Sequence, residues 1–454
     1  MSSKINRKRI VVVGGGFAGF NFLSQLFGTR YYDVTLVDKN NYNYFTPLLY
    51  QVATSFLEPA AISYPYRKLF EKKNIAFRMA EVLDVNADEN YLDLSDGGRL
   101  YYDILVFAAG SQTNFFGHDD LSMRAVPLKD VSDALYMRNK LIQTLEKASI
   151  EKSPKEKQKL LTIVIAGGGP TGVELAGMMA EFKHVILPMD YPELKDCPMT
   201  IYLIEGESCL LPPMSVKTHE EAYRALKKLG VVIKLNTRVD NYAGDKILLS
   251  DGSVIHAKTL IWTAGVTAQQ FEGVDQASIG RGGRMITDRF NKVNGYENIY
   301  AIGDISIQYT DEVYPLGHPQ LAQPAIQQGK RLAKNLLRSA KGRPMKSFKY
   351  FDRGDMAIIG RKWAVADLFK HRLHIGGLFG LLAWLFIHLI SLVNYNNRIR
   401  TLYSWLVAYL THDQVLRMIF KSDGRAASHQ DDAHRRHKAQ HAEWIEELPK
   451  PSTN

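Results

Sequence analysis

Two glycine-rich turns in one chain carry its most informative chemistry: Gly14-Gly15-Gly16-Phe17-Ala18-Gly19 and Gly167-Gly168-Gly169-Pro170-Thr171-Gly172. Each follows a β-branched apolar run, Ile10-Val11-Val12-Val13 or Thr162-Ile163-Val164-Ile165, and each leads into a helix-like segment. In such a turn one glycine permits tight reversal, another lets backbone touch a pyrophosphate, and the last lets helix and strand pack closely. N–H groups at the helix start then hold phosphate without a cationic side chain. One turn alone is weak. A strand before, a helix after and an acid at the next strand end, all occurring twice, argue against ordinary tight turns. Two in tandem imply two dinucleotides facing one another, and so a flavin reduced by a nicotinamide.

The acids are Asp38, which closes Val34-Thr35-Leu36-Val37, and Glu205, which closes Thr200 to Ile204. Asp38 lies 24 positions after Gly14, close to the roughly 20 expected for a carboxylate on the adenosine ribose. Glu205 lies 38 positions after Gly167, and the excess is assigned to an insert around Phe182 to Cys197, read as a loop-bearing extension. A carboxylate in either place repels a 2′-phosphate, which favours NADH over NADPH. Two further apolar runs end in small residues, Ala108-Ala109-Gly110 and Thr263-Ala264-Gly265, where backbone can pass close to a cofactor. Ile247 to Leu249 and Val254 to His256 form a hairpin signal. Asn298 to Asp304 reads as a strand returning to the first unit.

At 454 residues the chain is expected to hold two or three domains. Its 46% hydrophobic and 23% charged residues are those of a globular protein. The net charge of +10 admits nucleic acid or an anionic membrane as partner; no nucleic-acid-reading motif is present, so the membrane is favoured. Cys197 and Cys209, the only cysteines, make neither a CxxC pair nor a zinc set, so a reduced compartment and no metal are expected. The leading MSSKINRKR has no apolar signal core, and cytoplasmic folding is the default. Ile375 to Val393 is an apolar run of 19 residues, at the limit of the about 20 that a span requires. A monotopic arrangement is preferred, with aromatic rings such as Tyr403, Trp405 and Tyr409 at headgroup level and Arg398, Arg400, Arg417, Lys421 and Arg425 facing anionic lipid.

Taken together, these segments resemble the type II NADH dehydrogenases, single-chain NADH:quinone oxidoreductases of the two-dinucleotide flavoproteins, over roughly residues 8 to 420. The resemblance rests on the first turn with Asp38, on Asn43 to Ala53, on GGGPTGVELAG from Gly167 to Gly177, on AIGD from Ala301 to Asp304 and on AQPAIQQG from Ala322 to Gly329. Ala-Trp-Leu-Phe-Ile-His-Leu and Asn396-Asn397-Arg398 resemble the C-terminal membrane region of bacterial members.

The resemblance implies an α/β fold with two Rossmann-like domains in the glutathione-reductase manner. The expected organisation is a first FAD-binding part over 1–115, an NADH domain over 116–285, a second FAD part over 286–340, a membrane-anchoring region over 341–420 and a tail over 421–454. FAD is expected at Gly14, Gly16, Phe17, Ala18, Gly19, Asp38, Lys39, Thr46, Pro47, Ala109, Gly110, Gly303, Asp304 and Gln323. NADH is expected at Gly167, Gly169, Thr171, Gly172, Glu174, Glu205, Ala264 and Gly265.

Gln323 and Gln327, four apart on one helix face, would hydrogen-bond flavin and quinone carbonyls. Glu174 would relay protons or orient NADH; a helix-start acid favoured by the dipole is the competing reading. Lys370 loosely matches a lysine that the family places near quinone, with solvated charge the favoured role, and His388 is assigned no chemistry. The implied reaction is hydride transfer from NADH to flavin, then two electrons to a membrane quinone, without proton pumping. The implied location is the cytoplasmic face of a bacterial inner membrane, and a homodimer is admitted. Rival readings are a low-turnover redox-sensing flavoprotein, a sulfide:quinone reductase and a ferredoxin-type reductase.

Overall fold

Two five-stranded parallel sheets repeat one plan. In the computed structural model, which describes residues 7–369, 372–411 and 416–419, the first sheet has the order Ile299–Ala301, Ile104–Phe107, Lys8–Val13, Tyr32–Asp38, Ile75–Met79. The second runs Val126–Pro127, Thr259–Trp262, Thr162–Ala166, Thr200–Ile204, Val231–Lys234. The central strands are apolar and buried on both faces, the condition for a parallel sheet covered by helices. Ile299–Ala301 pairs with Ile104–Phe107, so the returning strand completes the first sheet.

Each sheet carries an antiparallel three-stranded flap: Val82–Asn86, Tyr91–Leu94 and Arg99–Tyr101 on one, Val239–Ala243, Lys246–Leu249 and Val254–His256 on the other. The two chain crossings between the units pair with each other, Ser111–Thr113 antiparallel to Val266–Ala268. Helix Ala322–Ser339 lies across helix Phe17–Ser24, and a Cβ at Gly329 would collide with the Ala18 carbonyl.

Two expectations change. The segment after Glu181 is helical before it loops: helix Pro170–Glu181 passes into a π-helical turn, Phe182–Ile186, and then Leu187–Asp190, and the loop is confined to Tyr191–Met199 around the 3-10 turn Pro192–Leu194. The apolar run from Ile375 is not one element either. Leu373–Gly376 is the third strand of a meander with Gly354–Ile359 and Trp363–Leu368, and helix Gly377–Ser391 starts at a glycine with φ +71°.

That helix and its successor, Tyr395–Thr411, each show two apolar faces. Leu381, Trp384, Trp405 and Ala408 join the core that also contains Ile163, Val173 and Leu175 of the second unit. Leu378, Phe379, Leu382, Phe386, Ile399, Leu402, Tyr403, Leu406 and Leu410 are exposed. No helix among the described residues is long and apolar enough to cross a membrane. At ~1.5 Å per residue, a helix of 15 residues is about 22 Å long, short of the ~30 Å hydrocarbon layer.

Candidate active site

The two turns superimpose in their bonding as well as their sequence. Gly14 N–H donates to the Val37 carbonyl and Gly167 N–H to the Ile204 carbonyl, both at 2.8 Å. Ala108 N–H reaches the Val13 carbonyl and Thr263 N–H the Ala166 carbonyl, again both at 2.8 Å. Gly14 and Gly167 hold φ of +96° and +107°, and a Cβ there would sit 2.6 Å from the Ala108 oxygen or 2.7 Å from the Thr263 oxygen. Only glycine is comfortable in that backbone region.

The third glycine of each turn has a different reason to exist. Gly16 and Gly169 have φ of −67° and −69°, accessible to any residue, and a Cβ on either would meet no protein atom within 4 Å. Nothing in the chain requires glycine there. The requirement comes from a body outside the chain, and helices Phe17–Ser24 and Pro170–Glu181 begin there with no side-chain cap and no acid in their first turns. Uncapped N–H donors beside an open cradle match a pyrophosphate. The residues present therefore fit two dinucleotides.

Each turn is closed by its acid. Asp38 accepts from Gly15 N–H at 2.7 Å, from Asn40 N–H at 2.8 Å and from the Tyr66 hydroxyl at 3.2 Å. Glu205 accepts from Gly168 N–H and, at 2.8 Å, from Glu207 N–H. Burial raises the Asp38 carboxyl above its ordinary range, with the Asn40 and Gly15 amides acting against it. Lys39 and Thr171 are exposed, while Thr46 and Pro47 open a 3-10 turn that leads into the buried helix Leu49–Ala53.

Ala109-Gly110 and Ala264-Gly265 follow the strands beside the two turns, as the sequence places them. Asp304 accepts from the Ser111 hydroxyl at 2.8 Å, and that hydroxyl accepts from Lys129 Nζ at 2.8 Å. Burial lowers the Lys129 ammonium below its ordinary value, with Asp304 acting against it. Neither Lys129 nor Tyr66 was found from sequence: both come from segments outside the turns, and only the folded sheet brings them near.

Gln323 and Gln327 share one face, but that face is turned to the chain itself. Gln323 donates to the Gly354 carbonyl at 2.7 Å and accepts from Arg353 N–H at 3.3 Å. Gln327 donates to the Phe351 carbonyl at 2.8 Å and accepts from Phe351 N–H at 3.0 Å. Each amide keeps one N–H and one lone pair for a further partner. The glutamine missed from sequence is Gln328, which is buried and accepts from Gly303 N–H at 2.6 Å.

Glu174 is enclosed by helix Leu49–Ala53, strand Gly354–Ile359 and helix Gly377–Ser391. It accepts from Ile358 N–H at 3.3 Å. Burial pushes its carboxyl up to about 8, which the Ile358 amide and the Trp384 indole only partly offset. Trp384 in turn stacks on His388 with centroids 3.9 Å apart; Phe45 meets His388 edge-on at 6.0 Å, and Phe17 meets Phe45 edge-on at 5.7 Å. An aromatic row thus joins the first turn to the apolar C-terminal helices. Burial takes His388 down to about 4, and its Nδ1 bonds the Trp384 carbonyl at 2.8 Å. A carbonyl only accepts, so Nδ1 carries the proton in a neutral ring.

The C-terminal helices are fixed by polar contacts. Asn397 Nδ2 lies 2.9–3.0 Å from the carbonyls of Ala60, Ala61 and Ser63, and Trp405 Nε1 donates to Gln51 Oε1 at 2.8 Å. The expected basic surface shrinks here. Arg398 turns to the carbonyls of Ile390 and Leu392, and Arg417 pairs with Asp190, while Lys421, Arg425 and Lys370 lie outside the described residues. Cys197 lies 3.6 Å from Gln158 and Cys209 lies 4.0 Å from His219, so their described partners place them in separate settings.

Comparison with known proteins extends this geometry. The family described as pyridine nucleotide-disulphide oxidoreductase matches residues 8–329. The chain is 35% identical over 422 residues to the type II NADH:quinone oxidoreductase NdhA of Mycobacterium tuberculosis, covering 89% of this chain and 87% of that one. It is 29% identical to the type II NADH:quinone oxidoreductase of Haemophilus influenzae, covering 80% and 87%. In fold it resembles the structure of NDH2 from Plasmodium falciparum in complex with NADH, with a TM-score of 0.83 at 23% identity, covering 92% of this chain and all of that one.

Proposed function

The chain belongs to the type II NADH:quinone oxidoreductases, and from that premise we propose how its residues divide the reaction. The enzyme binds FAD and NADH and passes reducing equivalents to a quinone without pumping protons. Bound FAD supplies the reversible two-electron chemistry, while the protein supplies position and charge.

FAD belongs to the first unit. Gly14, Gly16, Phe17, Ala18 and Gly19 receive its pyrophosphate, and Asp38, with Lys39 beside it, receives the adenosine ribose. Ala109, Gly110, Thr46, Pro47, Gly303, Asp304 and Gln323 line the rest. NADH belongs to the second unit: Gly167, Gly169, Thr171 and Gly172 take the pyrophosphate, Glu205 the ribose, and Ala264-Gly265 the flank. The observation that carries both assignments is the pair of glycines, Gly16 and Gly169, whose missing side chains face space that no protein atom fills.

Glu174 holds one of the two protons that a quinone takes up on two-electron reduction. Its carboxyl, raised to about 8, stays protonated at neutral pH because the site is buried and apolar. The remaining N–H groups of Gln323 and Gln327 orient a quinone carbonyl. The exposed leucines, phenylalanines and tyrosines of the two C-terminal helices lie in the cytoplasmic leaflet of a bacterial membrane, and the quinone enters from that side. Attachment is carried by apolar burial more than by charge, because two of the basic residues expected to face lipid are used within the protein.

The decisive measurement is the absorption spectrum of purified protein before and after anaerobic NADH, followed by quinone. A yellow flavin band that bleaches and then returns is expected. A colourless protein unable to take up flavin, or a bleached flavin that quinone does not reoxidise, would overturn the reading.

A further inference from the structure

Phe116 is the most anomalous side chain near the second turn. It is a bulky residue with φ +54°, in the left-handed region, and its ring is 59% exposed. Such backbone costs about 1–3 kcal/mol and persists only where the surroundings enforce it. Here they do. Asn114 Oδ1 accepts from Phe116 N–H at 2.8 Å, Asn114 N–H donates to the Gly265 carbonyl at 3.1 Å, and Trp262 Nε1 donates to the Asn114 carbonyl at 2.8 Å. The ring is held against Gly265, where a Cβ would lie 2.8 Å from Phe116 Cζ, and meets Trp262 edge-on at 6.4 Å. Phe115, by contrast, packs on Trp262 at 5.6 Å and is only half-buried rather than exposed. A strained backbone that spends its rigidity on presenting an apolar ring to solvent lacks a structural reason.

The sheet order says what should cover it. Strand Thr162–Ala166, which carries the turn, lies between Thr200–Ile204, which ends at Glu205, and Thr259–Trp262, which ends beside Phe116. With the pyrophosphate on the turn and the adenosine ribose on the Glu205 side, the other half of the dinucleotide must run over Ala264-Gly265. Gly167 confirms that this edge borders the turn, since a Cβ there would lie 2.7 Å from Ala264 Cα.

We propose that Phe116 is the aromatic wall against the nicotinamide ring in the NADH site, and that Gly265 is glycine so the tip of the Phe116 ring can lie against it. This rests on the assignment of NADH to the second turn. The ring covers an apolar face of the substrate, and the Asn114 clasp spares the substrate the cost of ordering it. Phe116 thus acts on binding and on the approach angle, not on proton movement.

The test uses the full-length flavin-loaded enzyme in anaerobic stopped flow, reading the NADH concentration that half-saturates flavin bleaching. Phe116→Ala should raise it roughly tenfold, the loss expected for one aromatic stacking contact, with the quinone KM unchanged, and Phe116→Tyr should restore it. Phe116→Gly relaxes the backbone yet lacks the ring; it should melt higher than Phe116→Ala and share its NADH defect. Inhibition by NAD+ should weaken in step with NADH, while inhibition by ADP-ribose, which lacks nicotinamide, should hold. Unchanged NADH half-saturation in Phe116→Ala, equal weakening of ADP-ribose, or a Phe116→Gly variant that binds NADH normally would each overturn the proposal. If wild-type flavin is not bleached by NADH at all, the assignment beneath it fails instead.

Discussion

The two nucleotide turns are alike in backbone and unlike in surroundings. Around the first, Asp38 is sealed by the Tyr66 hydroxyl, the Gly15 carbonyl accepts from Asn43 Nδ2 at 2.8 Å, and helix Ala322–Ser339 presses on the helix the turn begins. Around the second, Glu205 meets only backbone amides in its described hydrogen bonds, and the flanking strand end carries an exposed Phe116. The same difference appears one helical stretch further on. Seven residues after Gly14 stands Asn21, whose amide bonds the Phe17 carbonyl at 2.9 Å; seven residues after Gly167 stands Glu174, buried and holding its proton. We propose that the first turn keeps its nucleotide and the second exchanges it. Identical motifs say only that a pyrophosphate fits; the neighbours decide how long it stays.

Mutations at matched positions break or sharpen this contrast. The largest effect is expected at the third glycines, where an added Cβ meets no protein atom within 4 Å and a valine should intrude on the proposed cofactor space. Gly16→Val should remove the flavin band from a protein that still folds by circular dichroism; Gly169→Val should leave the flavin and abolish its bleaching by NADH. Loss of the flavin from both variants would erase the distinction.

Glu174→Gln comes next. Its carboxyl is raised from an ordinary 4.5 to about 8, so the acid persists through neutral pH and is lost as pH rises through about 8. Quinone reduction by wild type should therefore fall above that point. The variant should lose this dependence and be about a hundredfold slower near neutrality, as for loss of a positioned acid. The linkage has the same sign: unfolded chains release this proton near 4.5, so stability falls as pH climbs from there to about 8, and the variant's thermal midpoint should be flatter across that interval.

Glu205→Arg should move nicotinamide preference toward NADPH by roughly tenfold, one charged hydrogen bond lost and one gained, read as the ratio of kcat/KM for the two donors. Tyr66→Phe is the smallest. Removing one hydroxyl from Asp38 costs about 1 kcal/mol, and FAD should wash out about fivefold faster on dialysis with steady-state KM for NADH unmoved.

Much of this architecture was legible because it is local. Strand, turn, helix and acid lie in short stretches whose periodicity and glycines state their role, and Asp38 and Glu205, picked out as acids at strand ends, bond amides of their turns. The first half of the insert beyond Glu181 was misread because its prolines resemble a loop, yet Pro188 sits just past the π-helical turn within one continuous helical stretch, and Pro192 opens a 3-10 turn where no amide is needed. Gln323 and Gln327 do share one face, but a helix face does not state what it meets, and the segment Phe351 to Gly354 that it meets lies 24 to 31 residues away. Lys129, Gln328 and Trp384 carry no local signal, since their partners come from distant segments. The apolar run from Ile375 spoke of lipid without revealing that half of it is core. Its Leu381, Trp384 and Leu392 are buried in a core shared with the second unit, so truncation should yield unfolded protein rather than a soluble enzyme.

The Asn397 amide, set against three carbonyls of the helix-to-strand junction at Ala60, Ala61 and Ser63, more than 330 residues earlier, ties the greasy underside to the first unit. A bilayer meeting this protein finds a finished keel. Lipid then selects where the molecule floats and at what tilt, without teaching it a shape, and a mild detergent belt should be an acceptable substitute.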